Sequence, residues 1–298
     1  ISCINEKGVE SLSETVNMQR ETGTATNGNL YVISVGVSQY KDSRFSLKYA
    51  AKDAEDIVNN FVTTKSLYKN IYTKTLENAD VTKENFAALK DFLKNTTVDD
   101  MVILFIAGHG VLDDKFDYYY CTADIDFDNP SARGLSYDDI EGIFNNTHAI
   151  KKLLLMDTCH SGELDKDEVE KGNKVENGDV AFRAVGEGVR KKEGFGVENS
   201  VQLMESVFSN IKKGTGTTVI SSAGGAEFAM ESDAWKNGLF TYCLLNGLKE
   251  KSADTNNNGE VCLSELQKYV KDKVSELSKG KQVPTARTEN ISLDYRLW

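Results

Sequence analysis

The stretch KKLLLMDTCHSGE, residues 151–163, decides the fold of this chain. Two lysines lead into an apolar run at residues 153–156, and the run stops abruptly at the polar and small residues DTCHSG. A short apolar run that ends in turn-forming residues is typical of a buried strand in a parallel sheet. Because catalytic groups of open α/β sheets sit at the carboxyl ends of such strands, the pattern predicts chemistry at Cys159.

A second stretch of the same form precedes the first. Residues 101–107 are the apolar run MVILFIA, which is followed directly by Gly108, His109 and Gly110. His109 precedes Cys159 by 50 residues. A cysteine nucleophile needs a nearby imidazole, which lowers the pKa of the thiol or protonates the leaving amine. The two residues are therefore a candidate catalytic pair, although a buried cysteine at a strand end is more often inert packing.

Apolar periodicity along the chain predicts alternating strands and helices. Strands are predicted at residues 29–37, 71–76, 101–107, 151–156 and 217–222, and helices at 47–63, 82–95, 136–144, 200–213, 238–250 and 263–278. An aromatic run at residues 118–123 predicts an excursion or a hairpin after His109. Strands that alternate with helices imply right-handed crossovers. The predicted fold class is therefore α/β, with a mostly parallel central sheet of about six strands and helices on both faces.

The organisation of the chain is that of one domain with a leading arm. Residues 1–28 are polar and are predicted to be an N-terminal arm or linker, and residues 29–298 form the domain. Residues 163–199 are charged, contain several glycines and have few large apolar side chains. A segment of this length inside a compact domain is either functional or a disordered insertion. The first residue is not a methionine, so the sequence could be a processed form or a fragment.

Composition excludes several classes of protein. The 298 residues are 40% hydrophobic and 27% charged, as in ordinary globular proteins. A net charge of −11 argues against nucleic acid or an anionic membrane as a partner, and no apolar run approaches the length of a membrane span. Five cysteines with neither disulfide-framework nor zinc-site spacing, alongside three histidines, predict reduced thiols and a cytoplasmic protein.

The two motifs resemble those of a known branch of peptidases. AGHG at residues 107–110 and MDTCHSG at residues 156–162 are similar to the motifs of metacaspases and bacterial caspase-like peptidases. The resemblance covers residues 29–298 and implies a caspase-like fold. Further matching segments are Leu47 with KDA at 52–54, GLFT at 238–241 and QVPTAR at 282–287.

The resemblance also implies roles for individual residues. Cys159 would be the nucleophile and His109 the general acid–base, with an oxyanion hole made of the backbone N–H groups of Gly110 and Cys159. Catalysis of this kind needs no cofactor. The protein would be a monomer, because metacaspases are generally monomeric.

By the same resemblance, Asp157 and Asp53 line the primary specificity pocket, and Ser222 and Trp235 lie along the substrate cleft. Two carboxylates in a pocket select a basic side chain through charge-assisted hydrogen bonds. We therefore expect a cysteine endopeptidase whose substrates are proteins or peptides cleaved after Arg and, less readily, after Lys. Asp157 could instead serve only in a turn, and Trp235 is equally well explained by packing. Alternative functions are a catalytically silent caspase-like interaction module and a calcium sensor built on the same fold.

Within this scheme, residues 163–199 are predicted to be an activation linker that the enzyme cleaves in itself. The alternative is a disordered surface insertion. The basic residues of the segment that suit the predicted specificity are Arg183, Arg190, Lys191 and Lys192.

A separate motif, DTNNNGEVCLSE at residues 254–265, fits a twelve-residue EF-hand calcium loop. The loop is present in one copy and has few carboxylates, so an Asn-rich turn that keeps the shape without the ion explains it equally well. If calcium is the ligand, few charged oxygens predict low affinity. The residues at ligand positions are Asp254, Asn256, Asn258, Glu260 through its carbonyl, and Glu265.

Overall fold

The computed structural model describes residues 3, 6–7, 28–64, 67–113, 117–158, 180–182, 217–223, 229–288 and 294–298. The strands are β1 Leu30–Gly36, β2 Ile71–Glu77, β3 Met101–Gly108, β4 Gly110–Leu112, β5 Tyr118–Tyr120, β6 Leu135–Ser136, β7 Lys151–Thr158, β8 Val180–Phe182, β9 Thr217–Ser221, β10 Met230–Ser232, β11 Asn237–Gly238 and β12 Thr285–Thr288. The helices are α1 Ala50–Val62, α2 Lys83–Leu93, α3 Pro130–Arg133, α4 Tyr137–Glu141, α5 Leu239–Lys249 and α6 Leu263–Leu277. In these ranges no helix has both the length and the apolar character needed to cross a membrane.

The centre of the domain is a six-stranded sheet in the order β2-β1-β3-β7-β9-β12. The first five strands are parallel to their neighbours, and β12 runs antiparallel to β9 at one edge. This confirms the predicted mostly parallel sheet. The register between β3 and β7 pairs Met101 with Lys151 at the start and Gly108 with Thr158 at the end.

Both faces of the sheet are covered, which explains the uninterrupted apolar run of β3. Successive side chains of a strand point to opposite faces. Leu104 and Ile106 belong to the core cluster that includes residues of α2 and α4, whereas Ile103 and Phe105 belong to the cluster with α1, α5 and α6. Helices therefore lie on both faces, as predicted.

Helix α1 follows from its sequence spacing. Ala50, Ala54 and Phe61 recur on one face and are fully buried against the sheet. The helix was predicted to begin at residue 47, but it begins at Ala50. The side chain of its N-cap residue, Tyr49, makes no capping hydrogen bond. Instead the buried carboxylate of Glu231, on β10, accepts hydrogen bonds from the backbone N–H of Lys48 at 2.7 Å and of Tyr49 at 3.3 Å.

The structure differs from the predicted pattern in its shorter strands. The strand predicted at residues 151–156 extends to Thr158, and the chain between the strand predicted at 217–222 and the helix predicted at 238–250 contains the β10–β11 hairpin. Strand β8, inside the predicted linker, pairs antiparallel with β10. The predicted hairpin after His109 is present as β4 and β5, joined by β6 in a second small sheet. The helix predicted at residues 200–213 lies outside the described residues.

Candidate active site

His109 lies at the carboxyl end of β3 and is 2% exposed. Its backbone N–H donates to the hydroxyl of Tyr40 at 2.9 Å, and its ring Nε2 lies 2.8 Å from the backbone oxygen of Phe45. A carbonyl oxygen can only accept, so Nε2 bears the hydrogen in this contact. In the neutral ring Nδ1 is then the basic nitrogen.

The chain just before the histidine is held by two tyrosine hydroxyls. Gly108 adopts a φ of +149°, and a Cβ there would lie 3.0 Å from the Tyr40 oxygen and 3.2 Å from the Tyr120 oxygen. The Tyr120 hydroxyl donates to the carbonyl of Ala107 at 2.8 Å. A side chain at residue 108 would be strained by both its backbone angle and its neighbours. The glycine before His109 is therefore required by close packing.

Gly110 presents its backbone N–H to the open side of β4. It pairs with Tyr120 on β5, and the N–H of Cys121 donates to the carbonyl of His109 at 2.9 Å. This bond flanks the pair of Gly110 and Tyr120, so the two form a non-hydrogen-bonded pair and the N–H of Gly110 points away from β5. β4 is an edge strand of the small sheet formed by the described residues. Such a direction is what an oxyanion-hole donor needs, although this role stays a prediction.

The predicted nucleophile follows the end of β7. β3 and β7 pair Ala107 with Asp157 and Gly108 with Thr158. His109 follows Gly108 in the sequence, and Cys159 follows Thr158. Cys159 itself lies outside the described residues, as do Arg183, Arg190, Lys191 and Lys192.

Thr158, one peptide bond before Cys159, is fixed from two sides. Its hydroxyl lies 3.0 Å from the hydroxyl of Tyr118, and its carbonyl accepts from the hydroxyl of Ser222 at 3.1 Å. The backbone N–H of Ser222 donates to the carbonyl of Met156 at 2.7 Å. Ser222, predicted along the substrate cleft, is fully buried, and these described bonds join it to the backbone of β7.

The two carboxylates predicted for the specificity pocket are each bonded to residues at the start of α5. Both Asp53 and Asp157 are 0% exposed. Asp157 Oδ2 accepts from the Thr241 hydroxyl at 2.6 Å. Asp53 accepts from the backbone N–H of Gly238 at 3.1 Å and from the side-chain amide of Asn237 at 2.9 Å. The N-terminus of a helix favours negative charge, so the fold brings both carboxylates to a place that stabilises them.

Trp235 lies in the turn of the β10–β11 hairpin. Its side chain is partly buried and packs against the core cluster that includes α1 and α5. Its backbone N–H donates to the carbonyl of Ser232 at 3.2 Å. The described contacts of Trp235 are therefore packing contacts, and a contact with substrate stays a prediction.

A model of the caspase domain, peptidase family C14, matches residues 31–295. The chain belongs to the caspase-domain family. Among solved structures, the crystal structure of protein GSU0716 from Geobacter sulfurreducens is similar with a TM-score of 0.58 and 18% sequence identity, covering 87% of this chain and 93% of that chain. At this identity the likeness shows the fold alone. No curated protein sequence matches the chain.

Two of the other cysteines of this caspase domain are poor candidates for a nucleophile. Burial raises the pKa of Cys121 well above its usual value and raises the pKa of Cys243 to about 12. A thiol that stays protonated is a weak nucleophile. Cys121 and Cys243 are therefore poorly suited to be the reactive thiol of a cysteine peptidase, and the role of Cys159 stays a prediction.

The EF-hand-like loop of the caspase domain is closed by hydrogen bonds between its own residues. Glu265 Oε1 accepts from the side-chain amide of Asn256 at 2.9 Å and from the hydroxyl of Thr255 at 3.2 Å. The backbone N–H of Gly259, which has a φ of +83°, donates to Asp254 Oδ2 at 2.8 Å. The loop thus has the turn that an EF-hand requires at its glycine.

A further ligand position of this loop, Asn256, also accepts from a protein donor, because the backbone N–H of Asn258 donates to its side-chain oxygen at 3.0 Å. The Glu260 carboxylate pairs with Arg296 at 2.5 Å, whereas the predicted ligand atom of Glu260 is its backbone carbonyl oxygen. Within the described ranges, no three His, Cys, Asp or Glu side chains are grouped to hold a metal ion. Calcium binding here stays a prediction, and the ion would have to replace the bond between Asn256 and Glu265.

Sequence reasoning assigned no role to several residues of the site. Thr241 and Gln282 belong to motifs that the resemblance includes, and only their buried hydrogen bonds reveal what they do. Tyr40 offered no motif. Phe45 contributes only its backbone carbonyl oxygen, which every residue has, so its residue type could not have predicted this role.

Proposed function

We propose that this caspase domain is a cysteine endopeptidase in which Cys159 is the nucleophile and His109 the general acid–base. The observation that supports it is the register of β3 and β7, which pairs Gly108 with Thr158. Neighbouring strands lie about 4.8 Å apart, and both chains leave the same edge of the sheet. An imidazole and a thiol that begin at adjacent positions are suited to act as one catalytic pair.

The proposed reaction uses the described geometry of the histidine. Nδ1 of His109 accepts the proton of the Cys159 thiol, and the sulfur attacks the carbonyl carbon of the scissile bond. The Gly110 N–H stabilises the negative oxygen that forms. His109 then gives a proton to the leaving amine as the carbon–nitrogen bond breaks. Water hydrolyses the acyl-enzyme and restores the thiol. The Phe45 carbonyl holds the Nε2–H, so that Nδ1 is the nitrogen that moves the proton.

Specificity for a basic residue is supported by Asp53 and Asp157. Charges in a buried, low-dielectric site interact far more strongly than charges in water. A substrate arginine complements two carboxylates better than a lysine does, because its planar guanidinium can bond to both oxygens of a carboxylate at once. This arrangement supports the proposal of cleavage after Arg and, second, after Lys.

Cleavage within the 163–199 linker is part of the same proposal. Strand β8 of the linker pairs with β10, and Arg183 is the next residue after β8. An arginine therefore follows a linker segment that already pairs with a strand of the caspase domain. Cys159→Ala protein should remain intact where the wild type yields two fragments. If the inactive variant shows the same fragments, self-cleavage is wrong.

The test of the proposed activity is hydrolysis of an acyl-arginine coumarin by purified protein, with acyl-lysine and acyl-aspartate coumarins for comparison. We expect hydrolysis of the arginine substrate first, the lysine substrate second and no hydrolysis by Cys159→Ala. A preference for aspartate would overturn the specificity. A wild type that is inert with and without calcium, and also after the linker is cut, would make the silent interaction module the better description.

A further inference from the structure

A single buried side chain, Gln282, connects the β10–β11 hairpin to the strand that leads to Cys159. Gln282 lies between α6 and β12 and is 0% exposed. Its amide nitrogen donates to the carbonyl of Ser222 at 2.9 Å, and its amide oxygen accepts from the backbone N–H of Met230 at 3.0 Å. The two bonds join the residue after β9 to the first residue of β10.

The amide fits in one orientation only. It faces a carbonyl at one end and an N–H at the other, so a flipped amide would place oxygen against oxygen and hydrogen against hydrogen. The backbone of Gln282 is itself clamped by Ser278, whose hydroxyl accepts from the Gln282 N–H and donates to the Gln282 carbonyl, both at 3.0 Å. The side chain is therefore held rigidly at its base and at its tip.

From Gln282 the hydrogen bonds continue to the end of β7. The Ser222 hydroxyl donates to the carbonyl of Thr158 at 3.1 Å, and the Ser222 N–H donates to the carbonyl of Met156 at 2.7 Å. Met230 is thus linked through Gln282 and Ser222 to the residue that precedes Cys159. A shift of β10 along its own direction would break this series of bonds.

The other edge of β10 accepts an extended segment. Met230 pairs with Phe182 and Ser232 with Val180, antiparallel, although β8 is distant in the sequence. Extended peptides commonly bind proteins by adding a strand in this way, with main-chain hydrogen bonds that do not depend on side chains. An extended substrate that pairs with this edge of β10 takes the place of β8 and uses the same backbone groups.

Resting on the proposed peptidase function, we propose that Gln282 is a positioning residue. An extended substrate pairs with β10, and Gln282 holds β10 in a fixed position relative to Thr158 and Cys159. A misplacement of about 1 Å can lower a rate by about 100-fold, because the scissile bond no longer meets the nucleophile. A substrate with a single residue before the scissile bond has almost no backbone to pair with β10. The role of Gln282 therefore grows with the length of the substrate.

The first test compares substrate lengths in Gln282→Met, which keeps the chain length and removes the amide. For an acylated tripeptide coumarin that ends in arginine, kcat/KM should fall by about tenfold or more, with acyl-arginine coumarin changed by less than about twofold. Thr96→Val is the matched control, since Thr96 is buried and hydrogen-bonded at the opposite end of the sheet. Equal losses for the two substrates, or no loss for either, would overturn the proposal.

A second variant tests the hydrogen bonds themselves. In Gln282→Glu, the protonated acid can both donate to Ser222 and accept from Met230, whereas the ionised carboxylate cannot donate. The ratio of kcat/KM for the tripeptide substrate to kcat/KM for the single-residue substrate should therefore rise towards the wild-type ratio at the same pH as the pH falls. A ratio that does not change with pH would contradict the donor role of Gln282.

Hydrogen exchange separates this proposal from the peptidase proposal. In Gln282→Met the backbone amides of residues 229–232 should lose protection, and those of α1 should not. An inert wild type with this selective loss would remove the peptidase function and keep the positioning of β10 by Gln282. If the wild type is an active peptidase and the backbone amides of residues 229–232 exchange at the same rate in the wild type and in Gln282→Met, the positioning role of Gln282 is wrong.

Discussion

Two acidic regions of this caspase domain were both predicted to bind positive charge, and the fold treats them differently. The buried pair, Asp53 and Asp157, is closed to solvent and held by donors at the start of α5. The EF-hand-like loop, residues 254–265, is open to solvent, and its residues 255–258 are exposed. In the pair the carboxylates are fixed by other parts of the fold, whereas the loop is closed by its own amides and hydroxyls.

The difference in burial matters because a carboxylate attracts a cation more strongly in the protein interior than at the surface. Two unit charges attract each other several times more strongly in a protein interior than in water. If the buried pair forms the proposed specificity pocket, two carboxylates are enough to recognise one basic side chain. The loop must gather many oxygens around an ion to offset the loss of its water shell.

The largest expected difference concerns the cysteine beside each region. Cys243 lies in α5, where burial, with a contribution from Asp157, raises its pKa to about 12. Cys262 lies in the loop; burial and the nearby Asp294 and Glu265 raise its pKa, but the side chain is only half buried. A raised thiol pKa lowers the thiolate fraction at pH 8, so Cys243 should react with iodoacetamide roughly 1000-fold more slowly than an ordinary thiol.

Peptide mapping by mass spectrometry over time measures this reaction. Cys262 should be modified in the folded protein and faster as the pH rises, and Cys243 should be modified only after unfolding in urea. Similar rates for the two cysteines in the folded protein would show that α5 opens readily and that Asp157 is not enclosed.

The second effect concerns the charge of Asp157. Asp157→Asn keeps the shape and removes the negative charge, so kcat/KM for an arginine substrate should fall by roughly 10- to 100-fold, the size expected for a hydrogen bond to a charged group. Asp100→Asn is the control, because Asp100 is also buried and accepts the N–H of Asn29 at 2.6 Å and of Thr97 at 2.8 Å, outside the site. The same loss in both variants would mean that buried aspartates act only through stability.

The third effect is on stability and uses one threonine from each region. The Thr241 hydroxyl donates to buried Asp157, and the Thr255 hydroxyl donates to Glu265 in the loop. Thr241→Val should lower the free energy of unfolding by about 1–3 kcal/mol, because it removes a donor from a buried carboxylate. Thr255→Val should change it by less than about 0.5 kcal/mol, because water replaces the lost bond. Urea unfolding measures both losses, provided that the dependence of the free energy on urea concentration (the m-value) is the same in the variants and the wild type. Equal losses of free energy in Thr241→Val and Thr255→Val would contradict the difference between the two regions.

The smallest effect is that of calcium on the loop. With a dissociation constant of about 1 mM, 10 mM calcium would add about 1.4 kcal/mol to the free energy of unfolding. Asp254→Ala should abolish this gain, and Asp157→Asn should keep it. Calorimetric titration of the wild type and Asp254→Ala gives the direct measurement. Absence of both heat and stabilisation in the wild type would establish the loop as an Asn-rich turn without an ion.

Much of the fold follows from local pattern. The apolar runs at residues 101–107 and 151–156 predicted β3 and β7. The helix predicted at residues 82–95 is present as α2, which Thr82 caps by accepting the N–H of Asn85 at 3.2 Å. The short strands β8, β10 and β11 were missed, because two or three residues contain no periodicity. Such strands form where a neighbouring strand supplies the hydrogen bonds, which is a property of the folded molecule.

The site divides in the same way. The motifs predicted His109, Cys159 and the two aspartates as residues of interest, because reactive side-chain types at strand ends are visible in the sequence. The carbonyl of Phe45, which selects the tautomer of His109, was not predictable, since every residue has a carbonyl. The amide of Gln282 was likewise invisible as a link, because its partners come from separate parts of the chain.

By itself, the sequence determined the class of fold, the family and the identity of the candidate nucleophile and base. These depend on side-chain type and on spacing between neighbours in the chain. Only the tertiary structure decided that Asp53 and Asp157 share the start of α5, where Asn237 and Asp53 bond across 184 residues of sequence. The reason is physical, because the strength of a charge or a hydrogen bond depends on burial and on its partners in space.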